Sequence, residues 1–125
     1  MASYGAMLLR LVMGIVYVMH AYLALAVLGP AGMIDYQAKN GVPFPEIATW
    51  YLILAHGIGG IFLVLGIFAR WAALANVPAM LGAILFVHGK SGFWVHKGGY
   101  EHVLVLLVAS VAVAMIGGGA LSLRR

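Results

Sequence analysis

Ionisable side chains inside long apolar segments are the residues of this chain that could do chemistry. His20 lies toward the end of the first apolar segment, and His56 lies in the first half of the second. Glu101 and His102 open the fourth. Because an ionisable group inside a membrane is costly, its default interpretation is a functional site or a proton relay. A neutral imidazole donates and accepts hydrogen bonds, and its reference pKa of about 6.5 favours proton transfer near neutral pH.

Helix geometry puts two of these histidines at the same depth. A helix rises about 1.5 Å per residue, so His56 lies roughly 12 Å from a helix start at Ala48. His20 stands a similar distance before a first segment that ends at Leu28. If consecutive segments run antiparallel, the two imidazoles lie in one layer of the bilayer and can meet between neighbouring helices.

We therefore predict one polar pocket near the outer leaflet, formed by His20, His56 and either Glu101 or His102. Tyr17 lies three residues before His20, on nearly the same helix face, and adds a phenol to this network. Quinone reduction and quinol oxidation couple electrons to protons, and imidazoles with a carboxylate suffice for the proton steps. His20, His56, Glu101 and His102 are the candidate catalytic residues. The same four and Tyr17 are the candidates for binding a quinone cofactor.

Other interpretations of these residues remain open at this point. Imidazoles from two helices could equally hold a haem or a copper or zinc ion, although we assign no residue as a metal ligand. His20 and His56 could simply form an interhelical hydrogen bond, and Glu101 could be the carboxylate that the dipole favours at a helix start. His88, at the end of the third segment, is expected to face lipid head groups, and His96 to be solvated.

Four apolar segments position these residues, and their composition defines the class of protein. The chain has 125 residues, of which 65% are hydrophobic and 8% charged, whereas soluble domains carry about 25% charged residues. We predict an all-α fold, an integral membrane four-helix bundle that forms a single domain over residues 1–125. The predicted spans are Met7–Leu28, Ala48–Phe68, Trp71–Val87 and Tyr100–Gly117, each near the length that crosses a hydrocarbon core.

The connections between the spans differ in length. Gly29–Gly32 is expected to end the first helix, and Met33–Asn40 mixes apolar and polar residues in a way that suits a short interfacial helix. The turn at Ala69 and Arg70 is so short that the second and third helices must form an antiparallel hairpin. Arg10, one turn inside the first span, is expected to extend toward the aqueous interface.

Charge indicates the orientation and the partners. We expect both termini in the cytoplasm, in a bacterial or archaeal cytoplasmic membrane, because arginines collect on the side of the termini without acidic neighbours. These arginines are Arg10, Arg70, Arg124 and Arg125. The basic residues are too scattered for nucleic-acid binding. Since the connections between the spans are too short for a soluble catalytic domain, we expect the lipid bilayer and other subunits of a membrane complex, or further copies of the chain, as partners.

The sequence resembles the DoxX family of small four-helix membrane proteins along most of its length. The motifs that carry the likeness are Leu8-Leu9-Arg10-Leu11, Gly41-Val42-Pro43-Phe44-Pro45, Gly59-Gly60, the block from Leu65 to Leu74, Gly98-Gly99-Tyr100-Glu101 and Leu121-Ser122-Leu123. The resemblance implies a membrane component of an oxidoreductase system, linked to quinone-coupled sulfur oxidation and oxidative-stress complexes. Arg10 and Glu101 match family positions, and His20 falls where a histidine is common. His56 replaces the family's usual acidic residue, which argues against a carboxylate-based role there.

Four functions follow from these observations. The leading interpretation is a quinone-interacting membrane subunit of an oxidoreductase that needs partner chains. The main alternative is a non-catalytic accessory or assembly subunit, whose polar residues lock helices together or bind a lipid head group. A haem-binding or metal-binding bundle is the third, and a transporter of a small solute is the fourth.

Overall fold

Five helices make up most of the chain in the computed structural model, which describes residues 1–125. They are α1 (Ala2–Tyr22), α2 (Gly29–Lys39), α3 (Pro45–Leu65), α4 (Ala69–Gly82) and α5 (Glu101–Ile116). A wider π-helical turn continues α1 over Leu23–Val27 and another continues α4 over Ala83–His88. Short 3-10 turns lie at Gly89–Ser91 and Val95–Lys97. With these continuations, three helical segments are long and apolar enough to cross a membrane, Ala2–Val27, Pro45–Leu65 and Ala69–Ser91, while α5 is apolar but shorter.

Two helices begin earlier than the hydropathy pattern predicted. The helix α1 starts at Ala2, and α3 starts at Pro45. Proline is favoured in the first turn because its fixed φ is helical and its missing N–H would have no partner there. The same property explains α2, where Pro30 lies in the first turn. Gly29, at a φ of +77°, makes the break after α1, so Pro30 opens the next helix and the first connection is helical from Gly29.

The helix α2 carries the one ion pair of the protein, between Lys39 Nζ and Asp35 Oδ2 at 2.9 Å. The hydrogen bond to the Asp35 carboxylate raises the pKa of Lys39. Both side chains are more than half exposed, so the pair adds little to stability. Its effect is to keep one charged face of α2 in water while Gln37, which is buried, faces the protein.

The helices pack around α3, which lies against α1, α2 and α4, while α5 contacts α4 and α1. Glycine permits the closest of these approaches. A Cβ atom on Gly14 of α1 would lie 2.7 Å from the carbonyl oxygen of Gly60 in α3, and one on Gly60 would lie 3.0 Å from that of Gly14. The two backbones are therefore in direct contact, as small residues allow in apolar surroundings. This contact sets the separation of the two helices that carry His20 and His56.

Arg10 links α1 to the end of α3 and to the tail after α5. Its side chain is 1% exposed, so the expected extension to the interface is wrong. The guanidinium donates hydrogen bonds of 2.8 to 3.1 Å to five backbone carbonyls, those of Leu63, Val64, Gly118, Ala120 and Leu121. The last turn of α3 and the glycine-rich tail after α5 leave carbonyls without helical partners, and Arg10 supplies the donors that both need.

Candidate functional site

A cavity of about 220 Å³ lies where histidines from α1, α3, α5 and the π-helical end of α4 meet. Its polar lining includes His20, His56, His88 and His102, and most of the remaining wall is apolar. The imidazole centroids of His20 and His56 are 6.5 Å apart, and those of His20 and His102 are 5.7 Å apart and stacked. The side chains that the sequence placed at one depth are therefore in one pocket, which we call the histidine cavity.

His56 is the buried member of this cavity, with 2% of its surface exposed. Its Nδ1 lies 2.6 Å from Oδ1 of Asn76 on α4, and Nδ2 of Asn76 donates to the Ala72 carbonyl at 3.0 Å. Because the Asn76 amide nitrogen is committed to Ala72, the oxygen faces His56, and an oxygen can only accept. Nδ1 of His56 must therefore carry the proton, and in the neutral ring Nε2 is an acceptor.

Two further imidazoles are held in the same tautomer. Nδ1 of His20 lies 2.9 Å from the Val16 carbonyl, and Nδ1 of His88 lies 2.8 Å from the Gly98 carbonyl. A carbonyl accepts only, so each Nδ1 donates and each neutral ring keeps Nε2 as an acceptor. The cavity thus holds three oriented imidazoles, each with a nitrogen lone pair that no hydrogen bond within the protein occupies.

Tyr17 supports the site from behind. The side chain is fully buried, its ring centroid lies 4.8 Å from that of His56, and its hydroxyl contacts Ser110 Oγ on α5 at 2.5 Å. Tyr17 does not line the cavity. The Tyr17 ring packs against the His56 imidazole and fixes the plane of that ring, while the hydrogen bond to Asn76 fixes its tautomer.

Glu101 lies apart from the histidine cavity. Its Oε1 accepts the backbone N–H of Val95 at 3.1 Å, and the N–H of Glu101 itself donates to the Phe93 carbonyl at 2.8 Å. Glu101 therefore fastens the connection between α4 and α5. Glu101 has no contact with His20 or His56. Of the two residues predicted as the third member of the pocket, Glu101 and His102, only His102 lines the cavity.

Sequence reasoning missed three parts of this site. His88 was assigned to lipid head groups, but it lines the cavity from the π-helical end of α4. Tyr36 and Gln37 of α2 also line it, so the helix of the first connection covers the pocket. The third part is Asn76, which holds the His56 imidazole from α4. The signal that could have found it is its place, like that of His56, deep inside an apolar span.

The histidines do not form a metal-ligand cluster. A neutral imidazole with Nδ1–H held by a carbonyl is also how metal-binding histidines are oriented. However, no three histidine, aspartate or glutamate side chains converge closely enough to hold a metal ion. The geometry is that of an apolar pocket with hydrogen-bond acceptors on its wall.

The long apolar helices define a helical integral membrane protein, and a comparison with protein families agrees. The DoxX family model matches residues 5–89, which is more than half of the chain, and the chain belongs to this family. The matched region includes Arg10, His20, His56 and His88, whereas Glu101 and His102 lie beyond it. A search of curated proteins and a search of solved structures each gave no match.

Proposed function

We propose that the histidine cavity binds the head group of a quinone or quinol, and that the protein is the membrane subunit of a quinone-coupled oxidoreductase. The observation that carries this proposal is the orientation of His56. Its Nδ1 is tied to Asn76 at 2.6 Å, so a lone pair on Nε2 remains on a buried ring in an apolar pocket. A hydroxyl group bound there would meet an acceptor that can also take its proton.

The tautomer favours the quinol as the ligand of the neutral site. Nε2 of His56 accepts a hydrogen bond from a quinol hydroxyl and takes its proton as the quinol is oxidised. In the reverse direction the imidazolium donates to a quinone carbonyl and gives the proton back. His20 and His88 offer equivalent acceptors in the same cavity for a second proton.

The size of the cavity supports a compact ring with an external tail. Pockets for drug-sized ligands span about 300–1,000 Å³, so a volume of about 220 Å³ suits a head group alone. A neighbouring groove of about 380 Å³ runs between α2, α3 and α4. The histidine cavity and this groove share Gln37, Leu52 and Ala79 on their walls. An isoprenoid tail can leave the cavity past these residues and reach the lipid.

Electron transfer requires a partner chain. The sequence has no cysteine, so it supplies no thiolate ligand for an iron–sulfur cluster. The electrons of a bound quinol must pass to a redox centre on another subunit, while the imidazoles handle the protons. We therefore propose a complex in which this chain contributes the quinol site and a partner contributes the electron acceptor.

We propose that this chain crosses the membrane four times, with the histidine cavity toward the outer leaflet. In α5, 16 residues rise only about 24 Å, less than the roughly 30 Å core. Two hydrogen bonds that link the ends of α4 to the ends of α5 nevertheless support a membrane crossing by α5. Arg70, at the start of α4, bonds the Met115 carbonyl near the end of α5, and His88, at the far end of α4, bonds Gly98 just before α5. These two contacts support a short helix that spans the same depth as α4, and the proposed topology puts the arginine-rich end in the cytoplasm.

The test is the chemical content of the purified protein. An organic extract and an absorption spectrum of the protein from native membranes should show quinone in stoichiometric amount and no haem band. His96→Ala, which changes an exposed loop histidine, should retain the quinone, while His56→Ala should lose most of it. Equal quinone content in the two variants, at the level of bulk lipid, would refute the proposal. It would leave an accessory subunit as the better description.

A further inference from the structure

A second cavity lies at the opposite end of the molecule, at the start of α1 and α4. Its volume is about 450 Å³. Three arginines line it, Arg70 from α4 and Arg124 and Arg125 from the tail after α5. We call it the arginine cavity. It is separate from the histidine cavity, with which it shares no residue.

No acidic side chain balances these arginines. Asp35, Glu46 and Glu101 are the three acidic residues of the chain, and none of them lines the arginine cavity. Asp35 and Glu46 lie on α2 and the first turn of α3, and Glu101 opens α5, so all three belong to the end that carries the histidines. Only Asp35 takes part in an ion pair. The charged side chains that line the arginine cavity are therefore all positive, which favours an anionic ligand.

Hydrogen bonds within the protein hold these arginines in place. They involve part of the Arg70 guanidinium and the backbone of Arg124. Nη1 of Arg70 donates to the Met115 and Ala114 carbonyls at 2.7 and 3.3 Å. The backbone of Arg124 is bonded on both sides, its N–H to the Gly66 carbonyl at 3.0 Å and its carbonyl to the Phe68 N–H at 2.8 Å. The Arg124 guanidinium makes no hydrogen bond within the protein. All of its N–H donors are therefore available to a ligand, while the backbone that carries them is held in place.

The aromatic residues that line the arginine cavity indicate that its ligand comes from the membrane–water interface. Trp71, which is 71% exposed, and Phe68, which is 43% exposed, stand at the cavity beside the arginines. Tryptophan beside basic residues is typical of the membrane–water interface, where the side chain lies at head-group level. Ser3 and Ser122 add hydroxyls to the lining. A ligand at this position has a charged group among the arginines and an apolar part against the indole.

We propose that the arginine cavity binds the phosphate group of an anionic phospholipid. A guanidinium fork matches phosphate oxygens bidentately, which explains why arginine rather than lysine lines the site. In the proposed topology the arginine end faces the cytoplasmic leaflet, whose anionic lipids give it a negative surface potential. Bound in this way, the lipid bridges α4 and the tail that Arg10 clamps, and so ties the last residues of the chain to the bilayer.

Quenching of Trp71 fluorescence by brominated lipid tests this proposal. The variant Trp50→Phe/Trp94→Phe leaves Trp71 as the only tryptophan, and Trp71→Phe/Trp94→Phe leaves Trp50 at the histidine end as the reference. Each protein is placed in phosphatidylcholine vesicles that contain brominated phosphatidylglycerol or brominated phosphatidylcholine. We expect Trp71 to prefer phosphatidylglycerol and Trp50 to show no such preference. Arg124→Gln, which leaves both backbone bonds of residue 124 in place, should reduce the preference about fivefold.

Two further arms identify the source of the phosphate and exclude bulk attraction. Inorganic phosphate at millimolar concentration should not restore the fluorescence if the site needs the lipid; if it does, the site binds phosphate itself and the lipid assignment is overturned. Lys90→Gln/Lys97→Gln changes net charge at the histidine end. If it lowers the preference at Trp71 as much as Arg124→Gln does, the attraction is non-specific and the proposal fails. Equal quenching by the two lipids in the unmutated Trp71 background would also overturn it.

Discussion

His56 Nδ1 and Asn76 Oδ1 lie 2.6 Å apart across the contact between α3 and α4. Neither residue has a second polar partner on the other's helix, and both are buried, at 2% and 0% exposure. The pair therefore depends on the close packing of these helices. Gly59 makes that packing possible, because a Cβ atom at this position would lie 2.9 Å from Asn76 Nδ2. One helix contact thus fixes the imidazole on which the proposed function depends.

Removing Asn76 should affect both folding and quinol binding. In Asn76→Ala the buried Nδ1–H of His56 loses its acceptor, which costs about 1–3 kcal/mol of unfolding free energy. The imidazole also loses its fixed tautomer, so quinol affinity should fall. Asn40→Ala is the matched control, since the Asn40 amide likewise bonds a carbonyl four residues back, that of Tyr36, but on the exposed end of α2. Thermal unfolding in detergent and quinol titration are the measurements; similar effects of the two substitutions would contradict the assignment.

Arg10 should be essential for the fold at the arginine end. Arg10→Gln leaves most of five carbonyls without donors inside the protein, and we expect a loss of at least about 3 kcal/mol. The tail after Ile116 should then become susceptible to proteolysis. Arg125→Gln serves as the control because that side chain makes a single bond, of 3.3 Å, to Gly119. A tail equally resistant in Arg10→Gln and in the unmutated protein would show that the clamp is dispensable.

The contact between Gly14 and Gly60 predicts a position-specific response to added methyl groups. Gly14→Ala places a Cβ 2.7 to 2.8 Å from backbone atoms of α3, so the helices must separate, at a cost of about 1–3 kcal/mol. Gly82→Ala is the control, because a Cβ there meets nothing within 4 Å and alanine favours a helix. Unfolding midpoints should fall for Gly14→Ala and stay or rise for Gly82→Ala. The opposite order would mean that α1 and α3 are not packed as described.

Single-cysteine labelling checks the membrane topology. The chain has no cysteine, so each introduced thiol is the only one. Ser3→Cys and Leu123→Cys should react with an impermeant maleimide from the cytoplasmic side, and Ser91→Cys from the other side. Reaction of residues 3 and 123 from opposite sides would contradict the four-crossing topology and the proposed place of α5.

Sequence reasoning located the main histidines because helix rise is a local property. The depths of His20 and His56 followed from counting residues, and the structure brings their rings together. Glu101 could not be placed in this way, because the loop before it decides where its carboxylate points. That loop turns through Gly92 and Gly98 at positive φ and brings the Val95 N–H to the carboxylate. The prediction for Arg10 failed for a similar reason, since its partners come from the last turn of α3 and from a tail more than a hundred residues away.

The most direct test of the central claim is a titration of the purified protein with decylubiquinol in lipid nanodiscs. Loss of the hydrogen bond to Nε2 should weaken binding by about 1–3 kcal/mol, so Kd should rise roughly tenfold to hundredfold in His56→Ala. His56→Leu/Asn76→Leu removes both buried polar partners together, which is nearly neutral for folding, and should lose affinity to the same extent. His96→Ala should bind like the unmutated protein. An unchanged Kd in both His56 variants, with the fold intact, would contradict the quinol site.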